Sequence, residues 1–144
     1  MNDSRYPWLI LVPRRDGMRD LDELTTEEGG VLWGEITLAS RLLREWCRPD
    51  KLNVAALGNM VPQLHLHVIA RFRADAAWPN PVWGQHPPLP YDESQLPAVL
   101  AALKTRMVAM LTNRPASPLE TLGGFDPSNP TPKPTPDNEE TLQK

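Results

Sequence analysis

Two of the three histidines in this chain, His65 and His67, stand one residue apart within the segment Gln63-Leu64-His65-Leu66-His67-Val68-Ile69-Ala70-Arg71. Polar and apolar residues alternate here, which is typical of a strand with one buried face. The leucines and Val68 would then point into a core, and the polar residues would share the other face. An imidazole titrates near neutral pH and can be a nucleophile, base, acid or metal ligand. The pair is therefore either a reactive face or two ordinary structural histidines.

The rest of the sequence argues against several kinds of site for this histidine pair. A metal site would normally need a third ligand, and the next acidic residue is as distant as Asp75. No Gly-x-Ser-x-Gly elbow and no Walker-type glycine loop occur in the chain. We therefore predict no metal and no cofactor. The remaining hypothesis is direct attack of a histidine on phosphorus, which gives a phosphoramidate that water then cleaves.

Composition limits the class of protein. The 144 residues have room for one domain with a proper core, and the net charge of −3 argues against a general binder of nucleic acid or membrane surfaces. The single cysteine, Cys47, excludes an internal disulfide and fits a reducing compartment. We identify no signal peptide and no apolar run long enough to span a membrane. These features predict a cytoplasmic protein.

Three further elements must position the histidines. The apolar run from Trp8 to Val12 predicts a buried strand. Thr25-x-x-Glu28 is a capping box that opens a helix ending before Pro49. The run from Lys51 to Leu57 predicts a strand that pairs antiparallel with the histidine strand. The helix has one predicted buried stripe at helical spacing, formed by Leu32, Ile36, Ala39, Leu43 and Cys47. Its two tryptophans, Trp33 and Trp46, are predicted to be packing residues.

The second half of the chain changes character. Residues 74–91 hold five prolines around Trp78, Trp83 and His86, which predicts an irregular arm that packs on another part of the protein. A second amphipathic helix follows, with a stripe of Leu96, Leu100, Leu103, Met107 and Leu111. Residues 113–144 are rich in Pro, Thr, Ser, Asn and Asp, have scarcely any large apolar side chain after Phe125, and are predicted to be a disordered tail. Residues 1–112 would form the domain.

The residues around the pair resemble the signature of the histidine triad (HIT) superfamily, His-φ-His-φ-His-φ-φ with φ apolar, preceded by a Gly-Gln-x-Val loop. The similarity extends from Asn53 through Gly58-Asn59-Met60-Val61 to Arg71. The strand ending Val12-Pro13-Arg14 also matches the family layout, so the resemblance covers roughly residues 5–73. The resemblance implies an α+β fold: a HIT-like antiparallel sheet with one long helix packed on it, here followed by the Pro/Trp-rich arm and a C-terminal helix. It also implies a homodimer. The family usually has a further strand before Trp8, so either this domain lacks the family's first N-terminal strand or the recorded start lies downstream of the true one.

The resemblance implies roles for individual residues. His65 matches the nucleophile that takes the nucleotidyl group, and His67 matches the histidine that contacts phosphate and assists proton transfer. The substrate would be a purine nucleotide or a nucleotide conjugate cleaved at the α-phosphorus. Asn59 replaces the loop glutamine, Asn53 lies near an asparagine of many members, and Arg71 shares the histidine face. We expect these three residues to bind the nucleotide or its phosphate.

Two departures from the family pattern leave two hypotheses open. Gln63 stands in place of the first histidine; its amide can orient His65 but cannot titrate. Met60 stands where several relatives place a hydroxyl that aids the leaving group. The chain is thus either an active nucleotidyl hydrolase or transferase, or a nucleotide-binding or scaffolding relative with little turnover.

Overall fold

The computed structural model describes residues 2–112. Along the chain, these form β1 (Trp8–Leu11), a short 3-10 helix (Leu21–Glu23), α1 (Thr26–Cys47), β2 (Lys51–Ala56), β3 (Leu66–Arg71) and α2 (Leu96–Leu111). The tail predicted for residues 113–144 lies outside the described residues. The division of the chain into a domain and a tail therefore stays a prediction.

The three strands form one antiparallel sheet in the order β1-β3-β2, with the histidine strand in the centre. The α+β class and the antiparallel pairing of β2 with β3 are confirmed. The strand β3 begins at Leu66, later than the alternation predicted. Just before it, the Leu64 N–H donates to the carbonyl of Met18 (2.7 Å) and not to a neighbouring strand. His65 therefore lies in the approach to β3, and His67 lies within it.

Helix α1 covers one face of the sheet. The predicted capping box is present, because the Thr25 hydroxyl accepts from the Glu28 N–H while the Glu28 carboxylate accepts from the Thr25 N–H. The helix ends at Cys47, and Arg48 takes the left-handed conformation (φ 49°). Apolar side chains of β3 and of the residues just before it pack on this helix, as predicted, in two clusters. One cluster contains Leu32, Leu64 and Leu66, and the other contains Ala39, Leu43, Trp46, Cys47 and Val68.

The two tryptophans of α1 have different environments. Trp46 is buried in the core, as predicted. The prediction for Trp33 is wrong, because 70% of this residue is exposed. Trp33 directly follows the buried Leu32, and successive residues of a helix point about 100° apart, so it turns away from the sheet.

The Pro/Trp-rich arm covers the opposite face of the sheet. It contains turns but neither helix nor strand. Ala77 and Val82 of the arm are buried against Ile69 of β3 and against Tyr6, and the two side chains that flank this cluster are Trp8 and Trp83. The prediction that the arm packs on the protein is confirmed. The sheet therefore lies between a helix and an irregular layer, and the histidines face the irregular layer.

Helix α2 packs against α1, and the predicted stripe of α2 is only partly correct. Val99 and Leu103 reach the core cluster of α1, but Leu100 is 56% exposed and Leu111 is 66% exposed. This helix carries apolar residues on all sides, so periodicity alone does not identify the side that packs. Within residues 2–112, no helix is long and apolar enough to cross a membrane.

Candidate functional site

The two histidines form a contacting pair on the sheet face that is turned away from α1. Their ring centroids are 5.0 Å apart and the rings meet edge to face at 86°. Their neighbours Leu64 and Leu66 are buried on the other face. His67 is buried and His65 is half-buried. The predicted clustering of the two imidazoles on one face is therefore confirmed.

The His65 ring is oriented by a backbone group. Its Nδ1 lies 2.6 Å from the carbonyl oxygen of Gln63. A carbonyl oxygen only accepts hydrogen bonds, so Nδ1 must carry the hydrogen and donate it. A neutral imidazole then has its lone pair on Nε2, on the other side of the ring. This arrangement leaves His65 with a nucleophilic nitrogen directed away from the backbone.

The side chain of Gln63 has a different partner from the one predicted. Its Nε2 donates to the carbonyl of Arg15 (3.0 Å) and so ties the approach to β3 to the loop after β1. The prediction that the Gln63 amide orients His65 is corrected in this respect, because the orienting atom belongs to the Gln63 backbone. Any residue at position 63 supplies that carbonyl.

His67 is enclosed by two tryptophans. The indole Nε1 of Trp8 lies 2.9 Å from Nδ1 of His67 and donates to it. The ring of Trp8 and the ring of Trp83, from the arm, each meet the imidazole edge-on with centroids 5.3 Å away. Burial lowers the pKa of His67 below its usual value, and the nearby charge of His65 lowers it further. His67 is thus held in its neutral form near pH 7.

Two of the predicted phosphate ligands, Arg71 and Asn53, lie in a hydrogen-bond network beneath the arm. Arg71 is 1% exposed; its Nε and Nη2 donate to the carboxylate of Asp75 (2.7 and 3.0 Å), and its Nη1 donates to Oδ1 of Asn53 (2.8 Å). Nη2 also donates to the carbonyl of Asn80 in the arm (2.9 Å). Phosphate binding by Arg71 and Asn53 stays a prediction. Their contacts favour a different role, which is to fasten the arm to the sheet.

The loop before β3 carries the other two residues that the signature singled out. It begins at Gly58, whose φ of 73° lies in the left-handed region that favours glycine. Asn59 is exposed, and Met60 is 94% exposed. Within the described part of the chain, Asn59 makes no hydrogen bond to either histidine. Its role in nucleotide binding stays a prediction.

The sequence did not identify Trp8, Trp83 or Asp75 as parts of the site. Trp8 had a usable signal, because it lies in a predicted buried strand and its N–H group needs a partner when buried. Asp75 was considered only as a metal ligand. Within residues 2–112, no group of three His, Cys, Asp or Glu side chains is placed to hold a metal ion.

A three-stranded antiparallel sheet with one long helix behind it, and a contacting His-x-His pair on the front, defines a protein of the histidine triad class. The model of the HIT domain family matches residues 1–74, and the chain belongs to that family. No curated protein sequence matches the chain.

Solved structures of histidine triad proteins resemble the chain along most of its length. The protein from Bradyrhizobium japonicum is 47% identical (TM-score 0.71), and the alignment covers 74% of this chain and 80% of that one. The protein from Marinobacter aquaeolei is 50% identical (TM-score 0.71), with 77% and 80% covered. The protein from Sinorhizobium meliloti is 42% identical (TM-score 0.70), with 73% and 78% covered.

Proposed function

We propose that this protein is a nucleotidyl hydrolase or transferase that cleaves nucleotide conjugates at the α-phosphorus, with His65 as the nucleophile. The observation that carries the proposal is the 2.6 Å contact between Nδ1 of His65 and the Gln63 carbonyl, which leaves the lone pair on Nε2. Membership of the HIT family supports the class of substrate. The proposed substrate is a purine nucleotide joined to a leaving group, such as a nucleoside phosphoramidate or a dinucleoside polyphosphate.

The proposed reaction has two displacements at the same phosphorus. In the first, Nε2 of His65 forms a bond to the α-phosphorus, and the bond from phosphorus to the leaving group breaks. The leaving group takes a proton, and the nucleotide remains on His65 as a phosphoramidate. In the second, water or another acceptor attacks the phosphorus, the P–N bond breaks and the nucleotide leaves. His67, next to His65, is proposed to contact the phosphate oxygens and to assist proton transfer.

The arrangement of the two imidazoles supports this mechanism through positioning. In the neutral form of His65, the Nδ1–H bond to the backbone selects the tautomer that has its lone pair on Nε2. The strand β3 lies in the centre of the sheet and is buried throughout, so His67 stands on a rigid element. A nucleophile just before such an element, next to a proton carrier on it, suits a covalent displacement.

A second candidate function is nucleotide binding with little or no turnover. Two features of the loop favour it. Met60, where several relatives place a hydroxyl, is 94% exposed and its thioether has no hydrogen to donate. The Gln63 side chain is engaged with the Arg15 carbonyl and carries no titratable proton. A site of this kind would bind the nucleotide and lack help for the leaving group.

The two functions are distinguished by incubating the protein with several adenosine-based conjugates. An active enzyme is expected to release adenosine monophosphate and, after rapid acid-free quenching, to show an adenylylated histidine in its mass spectrum. Phosphoramidates are labile in acid, so the quench must be neutral or basic. Binding detected by calorimetry without adduct and without product would support the second function.

Position 63 supplies a prediction on the role of the amide. We expect Gln63→Leu to retain turnover within a few-fold, because the backbone carbonyl that orients His65 is still present. Its free energy of unfolding should fall by about 0.5–1.5 kcal/mol through loss of the bond to the Arg15 carbonyl. Gln63→His should leave activity equal or higher, since an imidazole can also donate to the Arg15 carbonyl. The measurements are nucleotide release and urea denaturation of the three proteins.

A large loss of activity in Gln63→Leu, with its stability nearly unchanged, would contradict the assignment of the orienting role to the backbone carbonyl. It would mean that the Gln63 amide takes part in the reaction. Destruction of activity in Gln63→His would mean that the amide is a specialised feature of this chain. Both outcomes are interpretable only while the loop after β1 stays folded, so the urea denaturation of each variant is the control.

We also propose that the protein is a homodimer. The strand β2 stands at the edge of the sheet, and its outer side has no strand partner within residues 2–112. Val54 of this strand and Leu57 just after it are each 47% exposed. An unpaired edge with apolar side chains favours pairing with another chain. Light scattering after gel filtration tests the dimer, and Val54→Asp is expected to shift it toward monomer.

A cytoplasmic location is proposed from the state of Cys47. This residue is buried in the core, and burial raises the pKa of its thiol to about 12. The thiol donates to the carbonyl of Leu43 (3.1 Å). A protonated, buried thiol is unreactive, so the fold neither needs nor uses an oxidising compartment. Cell fractionation with an antibody to the protein tests the location.

A further inference from the structure

We propose that Trp8 is a positioning residue that holds His67 as the neutral Nε2–H tautomer, opposite to the tautomer of His65. The consequence for the reaction rests on the proposed function, but the tautomer itself does not. Under this proposal, the two adjacent imidazoles have different roles in the reaction. His65 presents a lone pair at Nε2, and His67 presents an N–H group at Nε2.

The argument begins with the chemistry of the indole. The Nε1–H group of tryptophan donates hydrogen bonds and never accepts them. Because Nε1 of Trp8 lies 2.9 Å from Nδ1 of His67, Nδ1 must supply a lone pair. A neutral imidazole has one hydrogen on its two nitrogens, so that hydrogen is on Nε2. The tautomer follows from the donor, as the position of a histidine hydrogen must be inferred from its partners.

The donor stands on a rigid element. Trp8 is the first residue of β1 and lies opposite Ile69 in the ladder between β1 and β3, so it shares the sheet face of His67. Trp83 packs edge-on against Trp8 with ring centroids 5.4 Å apart and closes the other side of the imidazole. Trp8 therefore has little freedom to release Nδ1.

The surroundings of His67 hold little charge that would favour its protonation. On the same face, β1 contributes Trp8 and Ile10, β2 contributes Ala55 as the register partner, and the arm contributes Trp83. The titratable side chain in contact is His65, whose positive charge would oppose a second one. Burial and the charge of His65 both lower the pKa of His67. Protonation at Nδ1 would also set that N–H against the indole N–H.

The opposite tautomers have a chemical consequence. A fixed Nε2–H on His67 can donate to a phosphate oxygen, where negative charge increases as the nucleophile attacks. This hydrogen bond forms without prior protonation of His67 to an imidazolium. A flexible His67 would spend part of its time with a bare Nε2, which would repel the same oxygen. Trp8 thus acts on the reaction through His67.

The test uses ¹⁵N-labelled full-length protein and long-range ¹H–¹⁵N spectra of its imidazoles across a pH titration. In the wild type, we expect His67 to show a bare Nδ1 and a protonated Nε2, and His65 to show the reverse. In Trp8→Phe, which keeps an aromatic ring and removes the donor, His67 should become a mixture of tautomers. Its pKa should rise by roughly half to one unit, because protonation at Nδ1 no longer breaks a hydrogen bond.

Two matched variants separate the donor from other effects of a tryptophan. Trp33→Phe makes the same change at an exposed site on α1 and should leave the tautomer and the pKa of His67 unchanged. Trp83→Phe alters the packing on His67 but removes no bond to it, so the Nε2–H tautomer should persist. A shift in Trp83→Phe as large as that in Trp8→Phe would overturn the role of the indole N–H.

The proposal is also overturned if wild-type His67 carries its hydrogen on Nδ1, or if folded Trp8→Phe keeps both the wild-type tautomer and the wild-type pKa. If Trp8→Phe does not fold, the wild-type spectrum and the Trp83→Phe spectrum decide the question. No substrate is needed for any of these measurements. Failure of the proposed function would therefore appear as absent turnover with the tautomers as described, and failure of this inference would appear in the spectra.

Discussion

His65→Ala is expected to abolish both the covalent nucleotidyl adduct and the release of nucleoside monophosphate, because alanine has no lone pair with which to attack the phosphorus. His67→Ala should reduce the rate by about 10²–10⁴-fold, the usual contribution of a group that assists proton transfer, and should leave nucleotide binding measurable. The measurements are adduct formation by mass spectrometry, product release over time and calorimetric binding for each variant.

The matched control is His86→Ala. It makes the same change at the third histidine of the chain, which lies exposed in the arm with Nε2 3.1 Å from the Ala76 carbonyl, and which contacts neither member of the pair. We expect its turnover to match the wild type. Equal turnover in His65→Ala and wild type would reject His65 as the nucleophile. Binding by the wild type without turnover on any conjugate would favour the second candidate function.

Asp75→Ala is expected to cost about 3–5 kcal/mol in the free energy of unfolding, since it leaves the Arg71 guanidinium buried without its counter-charge. The Asp75 carboxylate accepts two bonds from Arg71 and one each from the backbone N–H groups of Phe72 and Ala77 (3.0 and 3.1 Å). Those bonds fasten the start of the arm to β3. Urea denaturation measures the loss, and the NMR signals of His67 report whether Trp83 still packs on it.

A matched control for this change is Asp50→Ala. Asp50 also meets an arginine beyond the end of β3, but its pair with Arg73 is exposed and long (3.9 Å), with a further bond from the Arg73 N–H (2.8 Å). Exposed pairs contribute little, so we expect a loss within about 1 kcal/mol. A loss in Asp75→Ala no larger than this would mean that the buried pair does not hold the arm.

The sequence by itself determined that a long helix packs on an antiparallel sheet, and which residues form its histidine face. Alternation over residues 63–71 separated Leu64, Leu66 and Val68 from the histidines, because side chains of a strand must point to opposite faces. The capping box and stripe of α1 followed from the local geometry of a helix. These features depend on neighbours a few residues apart, so a single sequence contains them. The resemblance to the histidine triad signature added the roles expected of His65 and His67.

The partners of those side chains were decided only by the tertiary structure. Trp8 donates to a residue 59 positions later, and the Gln63 amide donates to a carbonyl 48 positions earlier. Arg71, whose partner the sequence does not identify, is buried under the arm with Asp75. A buried donor or charge takes whichever acceptor the packed chain brings within about 3 Å, because leaving it unpaired is costly. Alternation predicts the face on which a side chain lies, but the acceptor it meets there depends on how β1, the arm and β3 come together.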